Sequence, residues 1–467
     1  MKGTTHTEGR GASGCTRCDI MDDSNRQPDS LRRAIGRWSL AALMLNTMIG
    51  ASAFGLPSLL VARLGKWSTM AYFVAAAGVG SIAATLAEVS SQFRASGGPY
   101  LYARAAFGRF VGIQIGWLMW LSRIAASSAS ANLFVSYLTQ FFPAVEIRFA
   151  RAIVLVVLII LLAIVNYLGV AKGTVLNNLF TATKLILLML FIGGGLAALL
   201  LHPAIRVSPE PVSPNASDWF EALILMVYAY GGFESALFAS GEARDPRKDA
   251  PTALVMALIT ATFLYIAVQH VVIHILPHAA ETSTPAADVA KRLVGSVGSS
   301  FLTVGILVST YGYLSANMLH TPRLTFAMGE RGDFPRFFAA IHPRFRSPHL
   351  SIIVFALLLM AFSIGGSFRG NAILSATSRL FVYASSAAAL PVLRRKHPSA
   401  NAFRLPFGIV FAVLALVFTG VLVARIQIRD LTVITIAFIL AALNWLYVRR
   451  IPRSPALLTT ENSESGA

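Results

Sequence analysis

Long apolar runs separated by short polar segments fill the chain from about residue 38 to residue 448. A helix needs about 17–25 apolar residues to cross a bilayer, and twelve runs are long enough. The predicted spans are 38–60, 68–91, 110–142, 149–168, 174–201, 219–241, 252–276, 297–321, 349–366, 372–393, 406–424 and 430–448. The pattern therefore predicts an all-α integral membrane protein with about 12 transmembrane helices.

The spans fall into two halves of similar length, 38–201 and 218–395, each with five spans. The first span of each half is interrupted by small residues, at Ile49–Gly55 and at Tyr230–Phe233. Because five is odd, the halves must have opposite orientations, which predicts an inverted repeat with a site between its broken helices. Spans eleven and twelve, at 406–448, lie outside the repeat.

The segments that flank the spans are polar and are predicted to be tails. Residues 1–37 and 449–467 have no apolar core of signal-peptide type. Met21 opens a segment that would serve as a start by itself, so 1–20 is a candidate over-called extension. Cys15 and Cys18 fall in that extension, and two cysteines cannot form a four-ligand zinc site.

Composition and charge agree with a membrane protein. The chain has 467 residues, of which 55% are hydrophobic and 13% charged, against about 25% charged in soluble domains. The net charge of +18 could indicate nucleic-acid binding, but 26 of the 39 basic residues fall in alternate segments, against ten in the others. That bias predicts a multi-pass protein of the cell membrane with both termini cytoplasmic and no nucleic-acid partner.

Enzymatic and metal chemistry have little support in the sequence. There is no HExxH motif, phosphate loop or serine elbow. His270, His274 and His278 share a helix spacing, but Pro277 interrupts that face, and a polar edge at the membrane surface is the preferred interpretation. We therefore expect no catalytic residues, no metal and no cofactor.

Five segments together resemble amino acid permeases of the amino acid–polyamine–organocation superfamily. They are Met48–Pro57 (MIGASAFGLP), Ala87–Gly108, Glu221–Pro251, with its YGGFE run, Ala327–Pro348 and Pro391–Pro406, in the family's order. The resemblance implies a leucine-transporter-type 5+5 inverted repeat with broken helices 1 and 6. The chain departs from the family's Gly-Ser-Gly at Gly50-Ala51-Ser52, where a side chain at the third position narrows the approach to the backbone.

The two interruptions predict a site for an α-amino acid. A half-helix that starts near Ala51–Ala53 offers free N–H groups to a carboxylate, and freed carbonyls near the breaks suit an ammonium. The alternative is that the glycines serve only close helix packing. The predicted substrate site comprises Met48, Ile49, Gly50, Ala51, Ser52, Ala53, Tyr228, Tyr230, Gly231, Gly232 and Phe233.

Charged residues within the spans are the candidates for coupling and gating. Lys184 lies near the middle of the fifth span, so its ammonium should be held by carbonyls or lose its proton, and it resembles the lysine that replaces a sodium ion in proton-coupled permeases. Glu234 is a candidate proton relay or gate, with a structural partner of a buried cation as the alternative. For Arg123, Arg379 and Glu88 a structural role is preferred to substrate contact.

These observations predict a secondary active amino acid transporter, a proton-coupled symporter or an exchanger, that works by alternating access. A transporter or exchanger of polyamines or cationic amino acids, or a non-transporting amino acid sensor of the same fold, remains the alternative. The expected partners are the small-molecule substrate, protons and the lipid bilayer.

Overall fold

The computed structural model describes residues 36–93, 98–168, 173–209, 211–234, 246–396 and 403–450. The predicted tails, with Cys15, Cys18 and Met21, lie mostly outside the described residues, as does the end of the predicted span 219–241. Within the described ranges the regular structure is helical, without strands. The α-helices are α1 (Arg37–Met48), α2 (Ser52–Leu64), α3 (Ser68–Ser91), α4 (Gly98–Phe107), α5 (Arg109–Leu138), α6 (Arg148–Tyr167), α7 (Gly173–Leu201), α8 (Ala216–Tyr230), α9 (Pro246–Ile275), α10 (Pro285–Glu330), α11 (His349–Gly365), α12 (Phe368–Lys396), α13 (Gly408–Val423) and α14 (Ile428–Val448).

The first predicted span consists of two short helices, α1 and α2, separated by residues 49–51. Ile49 leaves the helical region with φ −77° and ψ 86°, and Gly50, a poor helix former, follows it. Pro57 in α2 has no N–H to donate to the preceding turn. The interruption is shorter than the predicted Ile49–Gly55, because residues from Ser52 onward are already helical.

The second interruption follows α8. This helix begins with a capping box in which the amide of Asp218 donates to Asn215 Oδ1 at 3.1 Å and the amide of Asn215 donates to Asp218 Oδ2 at 3.0 Å. Its last residue is Tyr230. The backbone of Gly231, which follows, is extended, and Gly232 has a φ of +118°. That value is open to glycine at little cost, so the Gly231-Gly232 pair ends the helix within an apolar segment.

Helix α10 is bent near its beginning. Its 46 residues would measure about 69 Å if straight, at 1.5 Å per residue, far more than the ~30 Å of a hydrocarbon core. Gly295, with φ +78° and ψ −162°, breaks the regular backbone. The residues after the bend include the whole of the predicted span 297–321.

Seven helices in the described part of the chain are long and apolar enough to cross a membrane, and α11 and α13 are shorter apolar helices. Helices α1, α8, α11 and α13 fall short of the length needed, with 12, 15, 17 and 16 residues, so fewer candidates are found than the twelve predicted spans. Helix α5, which is rich in buried serine, is not among the seven. It packs extensively against α12 and α10, and α1 packs against α9. These helices enclose both interruptions.

Candidate functional site

The two interrupted segments are bonded to each other. Thr47 Oγ1, at the end of α1, donates to the carbonyl of Gly232 at 3.0 Å. The hydroxyl of Tyr265, from α9, lies 2.8 Å from the carbonyl oxygen of Met48 and 2.9 Å from that of Ala229. Groups separated by about 180 residues in sequence therefore meet at one place.

A small cleft lies between the interruptions. Six of the eleven predicted substrate residues line it, and three other residues join them. The lining comprises Met48, Gly50, Ala51, Ser52, Tyr228 and Gly231 from the predicted set, and Thr47, Tyr313 and Arg379 in addition.

The other five predicted substrate residues lie outside this lining, namely Ile49, Ala53, Tyr230, Gly232 and Phe233. The hydroxyl of Tyr230 turns toward α3 and α9, where it lies 3.3 Å from Tyr72 O and 3.0 Å from Thr262 Oγ1. The ring of Phe233 stacks on Tyr383 with a centroid distance of 5.6 Å. Consecutive residues of a helix point in different directions, which explains why a continuous segment does not supply a continuous lining.

The ammonium of Lys184, 4% exposed, is held by carbonyls of the first interrupted span. It donates to Asn46 O at 2.5 Å and to Ile49 O at 2.7 Å. These contacts agree with the expectation that carbonyls hold the ammonium. The side chain thereby connects α7 to the point where α1 ends.

Glu234 and Arg379 form a buried pair next to the second interruption. Glu234 Oε1 lies 3.5 Å from Arg379 Nε, and Glu234 Oε2 accepts from the amide of Gly232 at 2.8 Å and from the hydroxyl of Tyr383 at 3.1 Å. Arg379 Nε also donates to Ser122 Oγ at 2.9 Å. This geometry matches the alternative in which Glu234 is the structural partner of a buried cation.

Arg379 is itself part of the cleft lining, so its side chain lies next to the predicted substrate residues. Its guanidinium lies against Gly231, where a Cβ would be 1.2 Å from Nη1. Arg123 interacts electrostatically with Arg379 and with Glu234. Glu88 lies outside the cleft lining, and its carboxylate accepts from Arg394 Nε at 2.6 Å and from Arg394 Nη2 at 2.8 Å.

The beginning of α2 offers positive polarity to the cleft. The first N–H groups of a helix have no acceptor in an earlier turn and carry partial positive charge, and α2 begins at Ser52, which lines the cleft. A carboxylate is the chemistry that this end suits. The carbonyls of Met48 and Ile49, predicted to bind an ammonium, already accept from Tyr265 and Lys184, so a substrate amine would share them.

Tyr265 and Tyr313 were missed by the sequence analysis. Both belong to spans without an interruption, α9 and α10, and each reaches the breaks through its side chain. Tyr313 packs its ring over Gly50, where a Cβ would lie 3.2 Å from Cδ2. A buried tyrosine hydroxyl in an apolar span needs a hydrogen-bond partner. That requirement is the sequence feature that could have marked these two tyrosines as candidates for the site.

Ion pairs join the helices at both ends of the bundle. At one end Asp333, fully buried, accepts from Arg104 Nη1 at 2.5 Å and from Arg109 Nε at 2.7 Å. At the other end Glu221 lies 3.2 Å from Arg63 Nη2 and also pairs with Arg369. The cleft therefore lies between two sets of charged contacts.

The three histidines with helical spacing do not form one cluster, because α9 ends before the last of them. The rings of His270 and His274 lie 4.4 Å apart. His278 follows the helix and approaches Glu281 at 3.9 Å. Among the described residues no group of three His, Cys, Asp or Glu could hold a metal ion.

Comparison with known proteins places the chain in a family. The amino acid permease family matches residues 35–445. The chain is 27% identical over 400 residues to the methylthioribose transporter of Bacillus subtilis (81% of this chain, 85% of the relative). It is 29% identical over 350 residues to the serine/threonine exchanger SteT (72% and 78%) and 28% over 357 to a putative arginine/ornithine antiporter (70% and 76%), both from the same species.

The chain belongs to the amino acid permease family, as the match over most of its length shows. With seven long apolar helices in the described part of the chain, it is a multi-pass membrane protein. The substrates for which the three relatives are named differ in charge and in chemistry, so similarity alone does not select one of them for this chain.

Proposed function

We propose that this protein is a secondary active amino acid transporter, a proton-coupled symporter or an exchanger, that works by alternating access. The observation that carries the proposal is the cleft between two interrupted helices, with a helix beginning at Ser52 on one side and Gly231 on the other. Freed backbone groups inside a membrane need a cavity or ligand beside them. The family of the chain supports an amino acid as the ligand.

The proposed architecture has twelve spans, of which 38–201 and 218–395 form the inverted repeat and 406–448 lie outside it. The two interruptions, at equivalent positions of the halves and in mutual contact, favour this arrangement. The tails 1–37 and 449–467 are proposed to be cytoplasmic in the cell membrane, because basic residues accumulate on that side.

Alternating access is proposed to use the charged contacts at the two ends of the bundle. Opening toward one side separates Glu221 from Arg63 and Arg369, and opening toward the other separates Asp333 from Arg104 and Arg109. A bound substrate changes the populations of these states only through its differential affinity for them. Glu234 lies next to the second interruption. It is proposed to act as a gate that links substrate binding to the opening of the two ends.

Lys184 is proposed to couple transport to protons. Its ammonium occupies carbonyls that would otherwise be free at the end of α1. Loss of its proton removes the positive charge that holds α7 to this end, and an intramembrane ionisable group with a named partner is a functional candidate. The position next to Ile49 favours a bracing role over direct substrate contact.

Purified protein reconstituted in liposomes tests the proposal. A panel of radiolabelled amino acids, polyamines and methylthioribose is offered with and without an imposed pH gradient. We expect saturable uptake of at least one amino acid, stimulated by the gradient or by amino acid on the opposite side. Binding of an amino acid without uptake or exchange would favour the sensor, and uptake of polyamines alone would exclude the proposed substrate class.

A further inference from the structure

Arg379 brings a charged group to the cleft that the interruptions alone would not provide. It comes from α12, not from an interrupted span, and is 5% exposed. Its Nε is engaged by Ser122 and Glu234. Its Nη1, in contrast, is buried without a hydrogen-bond partner in the described part of the chain.

The position of this guanidinium is built into the fold. Gly231 leaves the space that it occupies, since a Cβ there would lie 1.2 Å from Nη1 and 2.4 Å from Cζ. Ser122 fixes the opposite edge through Nε. A buried donor without a partner is destabilising, and more so when it is charged, so the cleft holds a group that an acceptor would stabilise.

The nearby carboxylate does not satisfy the whole of the Arg379 guanidinium. Glu234 Oε1 lies 3.5 Å from Arg379 Nε, and Glu234 Oε2 accepts from the amide of Gly232 and the hydroxyl of Tyr383. A ligand carboxylate next to Nη1 would supply the acceptor that this buried nitrogen lacks in the described part of the chain.

The cleft also offers two places for anionic groups. The beginning of α2 suits a carboxylate, and the guanidinium of Arg379 suits a second one, which it can bind with directed, charge-assisted hydrogen bonds. An amino acid with a neutral side chain supplies one carboxylate, and an acidic amino acid supplies both. A cationic side chain would approach Arg379 and Arg123 with like charge.

We propose that the cleft selects amino acids with a negatively charged side chain, such as glutamate and aspartate, and that Arg379 binds the side-chain carboxylate. This inference rests on the proposed function, because it takes an amino acid as the ligand. It places cationic amino acids and polyamines among the rejected compounds.

Calorimetry on the full-length protein in lipid nanodiscs tests the inference. The ligands are glutamate, glutamine, aspartate and asparagine, because each acid and its amide have nearly the same shape and differ in charge. We expect glutamate or aspartate to bind at least about tenfold more tightly than its amide, the size of effect that a charge-assisted contact gives. This comparison uses the wild-type protein and does not depend on a variant that folds.

Two variants of α12 assign the preference to one residue. Arg379→Gln is expected to bring the ratio of amide to acid dissociation constants close to one, and Arg379→Lys to retain a reduced preference for the acid. Arg395→Gln, on the same helix but exposed, is the matched control and should keep the wild-type ratio. Size-exclusion chromatography checks that each variant is monodisperse.

The possible failures separate the two proposals. Uptake of neutral amino acids without a preference for acids would overturn the inference and leave the transporter function in place. A preference for acids that persists in Arg379→Gln would overturn the role of Arg379. If the protein neither binds nor transports any amino acid, the proposed function fails as well.

Discussion

The ammonium of Lys184 lies 2.7 Å from the carbonyl oxygen of Ile49, at the residue where the first interrupted span leaves the helical conformation. A second bond, to Asn46 O, comes from the preceding turn of α1. One side chain of α7 thus satisfies two carbonyls that the interruption leaves without their usual helical donors. The integrity of this end of α1 depends on a group that can gain and lose a proton.

Replacement of Lys184 should separate coupling from binding. Lys184→Ala removes both bonds and is expected to abolish uptake driven by a pH gradient, while substrate affinity falls by only about threefold, because the ammonium contacts α1 and not the cleft. Lys184→Arg should also fail to couple, since a guanidinium does not deprotonate in proteins. Uptake is measured in proteoliposomes over a series of imposed gradients.

Lys291, exposed on α10, provides the control for this pair. Lys291→Ala and Lys291→Arg should retain the wild-type response to the gradient. An Lys184→Arg protein with a normal pH response would rule out the coupling role and leave the lysine as a structural contact.

Substitution of the glycines at the interruptions should impair binding by displacing particular side chains. A Cβ at Gly231 would collide with the Arg379 guanidinium, and one at Gly50 would lie 3.2 Å from the Tyr313 ring. Gly231→Val and Gly50→Val are each expected to weaken binding by more than about tenfold, or about 1.4 kcal/mol, in a protein that remains monodisperse. Gly420→Ala, where a Cβ has open space, is the control, and unchanged calorimetric affinity in both valine variants would place the site elsewhere.

Loss of the buried carboxylate at Asp333 should destabilise the protein. Asp333→Asn leaves Arg104 and Arg109 without their common anion, and breaking such a buried pair costs about 3–5 kcal/mol. The expected result is a clearly lower thermal unfolding temperature, measured by intrinsic fluorescence in detergent. Glu330→Gln removes a carboxylate from an exposed position nearby and should leave the transition in place; equal transitions in the two variants would contradict the assignment.

Weakening the contacts of Glu221 should favour opening at that end of the bundle. Glu221→Gln weakens its pairing with Arg63 and Arg369. A cysteine placed at Met48, in a background without Cys15 and Cys18, is then expected to react at least about threefold faster with a polar maleimide, since the rate follows the population of the open state. Glu146→Gln, at an exposed position, is the control, and equal rates in all three proteins would exclude Glu221 from this closure.

The sequence predicted the features that depend on local chemistry. Both interruptions occur at glycines that were expected to end helices, Gly50 and the Gly231-Gly232 pair. The family was also recognisable, because its motifs follow one another along the chain. The length of the first interruption was overestimated, because small residues such as Ala53 are compatible with either a loop or a helix.

The contribution of Arg379 to the cleft could not be predicted from sequence. Its helix, α12, is buried and carries small polar residues along much of its length, so no distinct polar stripe indicates how it is rotated. Tyr265 and Tyr313 raise the same difficulty, because their side chains reach the breaks from helices far along the chain. Which residues meet at the cleft is decided by the packing of helices against one another, and a pattern read along one span contains no information about that packing.

The hydroxyl of Tyr265 lies within hydrogen-bonding distance of carbonyls from both interrupted helices, Met48 O and Ala229 O. A hydroxyl carries a single hydrogen, so only one of these carbonyls accepts a full bond at any instant. The two interruptions therefore compete for one hydrogen atom, and a movement that strengthens the bond at α1 weakens the bond at α8. Through this competition a change in hydrogen bonding at one interruption is transmitted to the other.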